Sequence, residues 1–385
     1  MDRNTYLGSF AQENVVFQTT VVETSSYGDN FKRVMIFTEQ SLISDTSALL
    51  PVEGSETIKA ATVTADTYAS ITTGILQSWL TDLFANGEVN EAYVVINGAD
   101  ALTAELQEAA YELLKAFAYW KTVCIGTAAS GNDPANPANP ADPSTLDATR
   151  FNTLAAALAD LCLADKQVLS GPVLAPFSDA DPSGYAKSPR FMALKDKFVF
   201  MSYHQDATRN AALYSVGLAL SQVNSSGTPI GNSLDMTKSN SITTNGLSRA
   251  VRDALKSVYI QTWKPIGDNS SNVAAIGDKA LNGDTIGASW IVAYVTYMTK
   301  VQVAILMTTT NFYKNAENYS KILNSLMVNV KLFAGRLTNI VQTAPGYGDL
   351  PAAAADELVI PNAWQATYVD HVRKVTISGT LYIGE

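Results

Sequence analysis

Residues 68–98, YASITTGILQSWLTDLFANGEVNEAYVVING, carry the pattern that decides the fold. Tyr68, Ile71, Ile75, Trp79, Leu80, Leu83 and Phe84 recur every three or four residues, which puts them on one face of a helix. Asn86-Gly87 then supplies a left-handed stop, and Ala92 to Ile96 reads as a strand. Upstream, Arg33 to Thr38 is an earlier strand. Downstream, Leu102, Leu106, Ala109, Leu113, Leu114 and Phe117 repeat at helical spacing before the short apolar strand Thr122 to Ile125. Strand, helix, strand, helix, strand predicts an α/β (mixed α+β) fold with central sheets flanked by helices.

Residues 128–144 interrupt this rhythm with prolines and small polar side chains that cannot build a core, so they are expected to be an exposed loop. The rhythm then resumes with helix Leu154 to Leu163, strands Val168 to Leu174 and Phe198 to Ser202, and helix Ala211 to Ser221. This places the loop inside one domain. Polar, Gly-containing sequence from Asn224 to Gly246 separates that part from the last third. There, a short helix from Leu247 to Ser257 and a strand through Trp263 precede two long helices. Trp290, Tyr294, Tyr297, Met298, Val301 and Ile305 line the first, and Tyr319, Leu323, Leu326, Val330, Phe333, Leu337 and Ile340 the second.

Both ends of the chain alternate as lone strands. Val15, Phe17, Thr19 and Val21 share one side of Asn14 to Thr24, and Val375, Ile377, Leu381 and Ile383 share one side of the closing segment. Neither has an obvious hairpin partner beside it.

The composition narrows the function classes. Charged residues are only 16% of the 385 and hydrophobic residues 47%, so Ser, Thr, Asn and Gln must supply much of the polar surface. A surface that packs against copies of itself has that character, because burying a charge costs far more than burying a partnered hydroxyl or amide. The net charge of −10 argues against direct nucleic-acid binding. Cys124 and Cys162 lie in apolar runs and are expected to be reduced core residues; no cleavable leader is read at the start. The stretch Ser289 to Met307 is interrupted by Lys300 and Gln302 and is read as a core helix, with no membrane partner expected.

Chemistry-bearing motifs are scarce. The two histidines, His204 and His371, lie far apart, and neither CxxC nor HxxxH occurs, so no metal or cofactor is expected. The nucleophile elbow, phosphate loop and dinucleotide fingerprint are all missing. His204 with Asp206, after a strand, is the sharpest enzymatic pairing available, and a polar strand end explains it equally well. The aromatic residues could suggest a sugar-stacking surface, but most fall at core spacing. From Thr285 to Gln342 the basic side chains Lys300, Lys314, Lys321, Lys331 and Arg336 face the single acid Glu317. That basic stretch on an acidic chain is either a solvated helix surface or a guide to an acidic partner.

The segment GDKALNGDTIGASWIVAYVTYMTKVQVAILMTTTNFYKNAENYSKILNSLMVNVKLFAGRLTNIV (277–341) resembles the contractile tail sheath family of phages and related injection machines. The closing VRKVTISGTLYIGE is similar to that family's terminal strand, so the likeness spans roughly residues 247–385. The KIPY-like stretch common between the family's long helices is missing from Met307 to Asn318. The resemblance implies a non-enzymatic virion tail subunit, assembled in the host cytoplasm. Hexameric rings of the subunit would stack as a helical homo-oligomer around an inner tail tube, capped by baseplate and tail terminator proteins. It implies an N-terminal arm (1–30), an α/β domain (31–246), a helix-rich sheath core domain (247–368) and a C-terminal arm (369–385). In such proteins the arms add strands to neighbouring subunits and persist while the sheath contracts. The five basic residues would face the tube. An α/β enzyme near His204, or another virion structural protein such as a tube or capsid component, are the competing readings.

Overall fold

The computed structural model describes residues 29–85, 91–98, 101–127, 145–166, 169–179, 181–220, 247–266, 269–309, 312–353 and 358–369, with 234, 238, 239 and 242. Both terminal strands of the sequence reading, Asn86-Gly87, Asn245-Gly246, His371 and the Pro-rich loop lie outside the described residues.

The largest sheet has seven strands: β1 (Val34–Phe37), β2 (Leu50–Pro51), β3 (Ile58–Val63), β4 (Ala92–Asn97), β5 (Trp120–Val123), β6 (Val173–Phe177) and β7 (Val199–Tyr203). Their order is β2-β3-β4-β1-β5-β6-β7, with β4, β1, β5, β6 and β7 parallel and β3 and β2 added antiparallel at one side. Every residue of β1, β5, β6 and β7 is buried, as a parallel sheet covered on both faces requires.

Six helices serve this sheet: α1 (Tyr68–Ile71), α2 (Gly74–Phe84), α3 (Ala104–Leu114), α4 (Ala148–Ala164), α5 (Pro189–Leu194) and α6 (Ala211–Leu220). α2 packs on α6 as one layer, while α3, α4 and α5 form another. Gly217 makes the first layer possible, since a Cβ there would come within 3.0 Å of the Leu83 carbonyl, where real Cβ atoms do not sit. Local chemistry fixes the helix starts. Thr103, Asp147 and Ser188 cap α3, α4 and α5 by accepting a backbone N–H, and Asn210 Oδ1 accepts from Ala212 and Leu213 N at α6.

The last third begins with α7 (Arg249–Ser257) and a three-stranded sheet ordered β8 (Lys238–Ser239), β10 (Asn269–Ile276), β9 (Thr262–Ile266). Gln261 ties this part to the large sheet. Its backbone pairs with β7, Tyr203 N to Gln261 O and Gln261 N to Met201 O, both 2.9 Å. Its buried amide accepts from Ser202 and Ser215 and donates to the Leu234 and Gly277 carbonyls. The long helices α8 (Ile286–Thr309) and α9 (Ala316–Lys331) follow, then the antiparallel pair β11 (Leu337–Gln342) and β12 (Trp364–Tyr368). α8 is long and apolar enough to cross a membrane by composition, but half of its most apolar window is buried within this fold. One hydrophobic cluster runs from Phe31 to Leu337, with members on both sides of residue 246.

Several expectations shift. The helix read from Tyr68 to Phe84 is two helices, because Thr72 and Thr73 pair with Ile43 and Leu42 and Gly74 has φ +60°. The strand expected at Val168 to Leu174 forms at Val173–Phe177, past Gly171-Pro172. The second long helix stops at Lys331, so Leu337 and Ile340 belong to β11 and not to its apolar face. Strands β3, β10 and β12 went unread.

Candidate functional site

An open α/β sheet holds ligands outside the carboxyl ends of its strands, where the strand order reverses. Here that point lies where β1 stands between β4 and β5, and the chain fills it with its own groups. Glu39, just beyond β1, accepts the Leu102 N–H through Oε1 at 2.7 Å and pairs with Arg150, which also donates to the Leu102 carbonyl at 3.1 Å. The hydrogen bonds from Arg150 to Glu39 raise the guanidinium's pKa. Thr38 closes the floor by donating to the Cys124 carbonyl at 2.6 Å.

His204 and Asp206 do not form an acid/base pair. His204 Nδ1 accepts the backbone N–H of Asp206 at 3.1 Å, while the Asp206 carboxylate accepts from Thr208 N and Oγ1 at 2.9 and 2.7 Å. This is a turn built from side chains. Burial lowers the pKa of His204, with Arg209 adding to the effect. Among the described residues, no group of three or more His, Cys, Asp or Glu could hold a metal ion.

Sequence reasoning missed several buried ionisable groups, among them Asp82, Asp278 and Lys121 of β5. Its ammonium donates to the Ala118 carbonyl, the Leu169 carbonyl and Ser170 Oγ at 2.6, 3.0 and 2.8 Å, which uses all three protons. Burial pulls its pKa down to about 8. Tyr111 completes the network, with its hydroxyl 2.8 Å from Ser170 Oγ and donating to Asp165 at 2.9 Å. Every polar contact is internal, which is the pattern of a structural network.

The five basic residues of the last third do not share a face. Lys300 is only 1% exposed, so its ammonium does not reach the surface of this fold, and burial pulls its pKa down to about 8. Lys300 is therefore removed from the outward-facing set. Arg336 is folded back, its guanidinium 5.2 Å above the Tyr368 ring and hydrogen-bonded to that hydroxyl. Lys321 pairs with Glu317 at 2.7 Å. Lys314 and Lys331 are exposed.

The polar joint between α8 and α9 is buried. Asn329 donates to Thr299 Oγ1 at 3.0 Å and exchanges hydrogen bonds with the Gln302 amide at 3.1 and 3.3 Å. Misaligning the helices would leave these groups unpaired, so the joint sets their register.

The most open backbone is in the β11–β12 pair. Leu337 lies opposite Tyr368 and Gln342 opposite Trp364, with the register shifting between Thr338 and Val341 around Asn339 at φ +52°. Ile340, Trp364, Ala366 and Tyr368 pack on the core, while Thr338, Gln365 and Thr367 are exposed. No third strand joins the pair among the described residues. An isolated two-stranded ribbon is marginal in water, and its outer N–H and C=O groups are a template for another strand. Exposed Val341 and Val369 lie on this pair or directly after it.

No protein-family model matches the sequence, and neither does any curated protein. The fold is similar to that of a chain in the cryo-EM structure of the six-fold symmetrised anti-feeding prophage (AFP) baseplate. The TM-score is 0.60 at 11% identity, over 96% of this chain and 99% of that one.

Proposed function

We propose that this chain is a structural subunit of a contractile injection-type particle and, more finely, a tail sheath subunit. The observation that carries the reading is the fold shared with a chain of the AFP baseplate structure along nearly the whole of both chains. The finer reading draws support from the open β11–β12 pair. Its edges, which no third strand joins among the described residues, suit the alternating segments at the chain ends, Val15, Phe17, Thr19 and Val21 at one and Val375, Ile377, Leu381 and Ile383 at the other. These arms, supplied by neighbouring copies in a helical stack of hexameric rings, would complete the sheet. Backbone hydrogen bonds of that kind tolerate rigid-body movement of the bodies they join. Contraction would then draw its energy from new subunit contacts, with no nucleotide involved. Lys314, Lys321 and Lys331 are the remaining candidates for facing an acidic inner tube. A second reading, another particle protein such as a baseplate component, is favoured by the assembly from which the similar chain comes.

The test is negative-stain electron microscopy of concentrated protein, intact and lacking residues 371–385. Hollow striated cylinders that vanish on truncation support the sheath reading. Discrete small particles from both samples overturn it.

A further inference from the structure

The two ends of the described chain meet one aromatic block. Phe31, two residues after the described residues begin, is 1% exposed. Its ring stacks on Tyr119 at 5.1 Å and meets Trp290, Tyr294 and Tyr297 edge-on at 5.7, 5.3 and 5.5 Å. Its carbonyl accepts from Trp120 Nε1 at 3.2 Å. Trp290 and Tyr294 stack on each other at 5.0 Å, and both meet Phe333 edge-on at 5.8 and 5.6 Å. From Phe333 the connection continues through backbone: its carbonyl accepts the Arg336 and Leu337 N–H groups, both at 2.8 Å. Arg336 then holds Tyr368 by ring and hydroxyl, and its carbonyl accepts the Val369 N–H at 2.9 Å, at the far end of the described chain.

We propose that this block is a mechanical tie that joins the roots of the two arms, touching the seven-stranded sheet only at the start of β5, where Trp120 holds the Phe31 carbonyl. Edge-to-face and stacked ring pairs each add about 0.5–1.5 kcal/mol beyond their burial, so losing Phe31 weakens several contacts together. The consequence rests on the arm-exchange reading above: a pull from one neighbour would pass to the other mainly through Phe31, α8, Phe333 and Arg336, and load the sheet only at the Trp120 end of β5.

The test uses the isolated full-length subunit, so it does not depend on assembly. Single-molecule force spectroscopy pulls it in two geometries. In the first, the handles are attached at the two chain ends. In the second, they are attached at Glu56→Cys and Lys195→Cys, which span the seven-stranded sheet. Phe31→Leu and Phe333→Leu keep apolar volume, and thermal unfolding checks that each folds. The tie predicts that either substitution lowers the first unfolding force in the end-to-end geometry by a third or more and leaves the sheet-spanning force within error. Unchanged end-to-end force, or an equal fall in both geometries, overturns it. Tubes that fail to form while this pattern holds would count against the sheath reading and leave the tie standing.

Discussion

The seven-stranded sheet and the β11–β12 pair solve the same problem in opposite ways. A sheet edge exposes unpaired backbone groups that recruit other strands. At one side the large sheet ends in a two-residue strand carrying Pro51, which has no N–H to offer, and at the other Gln261 pairs with β7. Neither edge invites a partner. The β11–β12 pair has no such closure among the described residues and sits beside the sequence that leads into the C-terminal segment. Among the described residues, closed and unclosed edges thus fall on different sheets of one chain.

Removing the C-terminal segment should separate the two sheets most sharply. On the sheath reading, deleting residues 371–385 should abolish cylinders by electron microscopy yet move the thermal midpoint of the isolated chain by less than about 2 °C, since the described strands of the large sheet pair with one another and with Gln261. A synthetic peptide of residues 369–385, added in excess, should likewise shorten the cylinders. If truncation instead unfolds the subunit, the separation fails.

The reverse experiment attacks the closed sheet. Gly217→Ala drives a methyl into the Leu83 carbonyl between α2 and α6, and should cost about 3 kcal/mol in denaturant unfolding. Loss of less than about 1 kcal/mol would mean the layer can spread, and the closed sheet would be softer than its burial suggests.

A smaller effect comes from pH. The folded-state pKa of Lys121 is about 8 against an ordinary 10.5, so between these values the unfolded chain binds more protons and stability rises with pH. The expected gain from pH 8 to 9.5 is about 1–2 kcal/mol, within the window before tyrosines in the unfolded chain ionise. Lys300, lowered to the same value, adds a similar rise, so Lys121→Met should remove about half of the total slope, whatever its effect on absolute stability, as it leaves the carbonyls of Ala118 and Leu169 without their donor. An unchanged slope would assign the rise to other groups.

The smallest effect concerns the exposed charges. Lys331→Glu should alter subunit stability by less than about 0.5 kcal/mol. Against an acidic tube of the kind proposed above, it should slow association at low salt and matter little at high salt.

How much of this was legible follows from where each signal resides. The parallel strands and their helices were, because each carries its own apolar run or stripe. β3 (IKAATV), β10 (NSSNVAAI) and β12 (WQATY) were not, since Thr, Ala, Ser and Asn make them strands only through the neighbours they pair with. Phe333, Leu337 and Ile340 keep helical spacing across a segment whose backbone turns at 332–336, so periodicity alone extended α9 too far. Lys300 could have been found: it lies three residues from Tyr297 and from Val303, all buried, and that step placed it inward. Counting its charge without asking its direction hid this. That no third strand joins β11–β12 among the described residues had no sequence signature, because an edge is defined by what does not pair with it.

The Glu39–Arg150 pair holds a practical opportunity. The pair occupies the switch point of the sheet with the chain's own side chains. Cutting both residues back to alanine would expose the Leu102 N–H and carbonyl as a matched donor and acceptor in a space the size of the two lost side chains. A small molecule carrying a carboxylate and an amidine would match that donor and acceptor. The scaffold could then be given chemical control, with subunits that mature only when the compound is supplied.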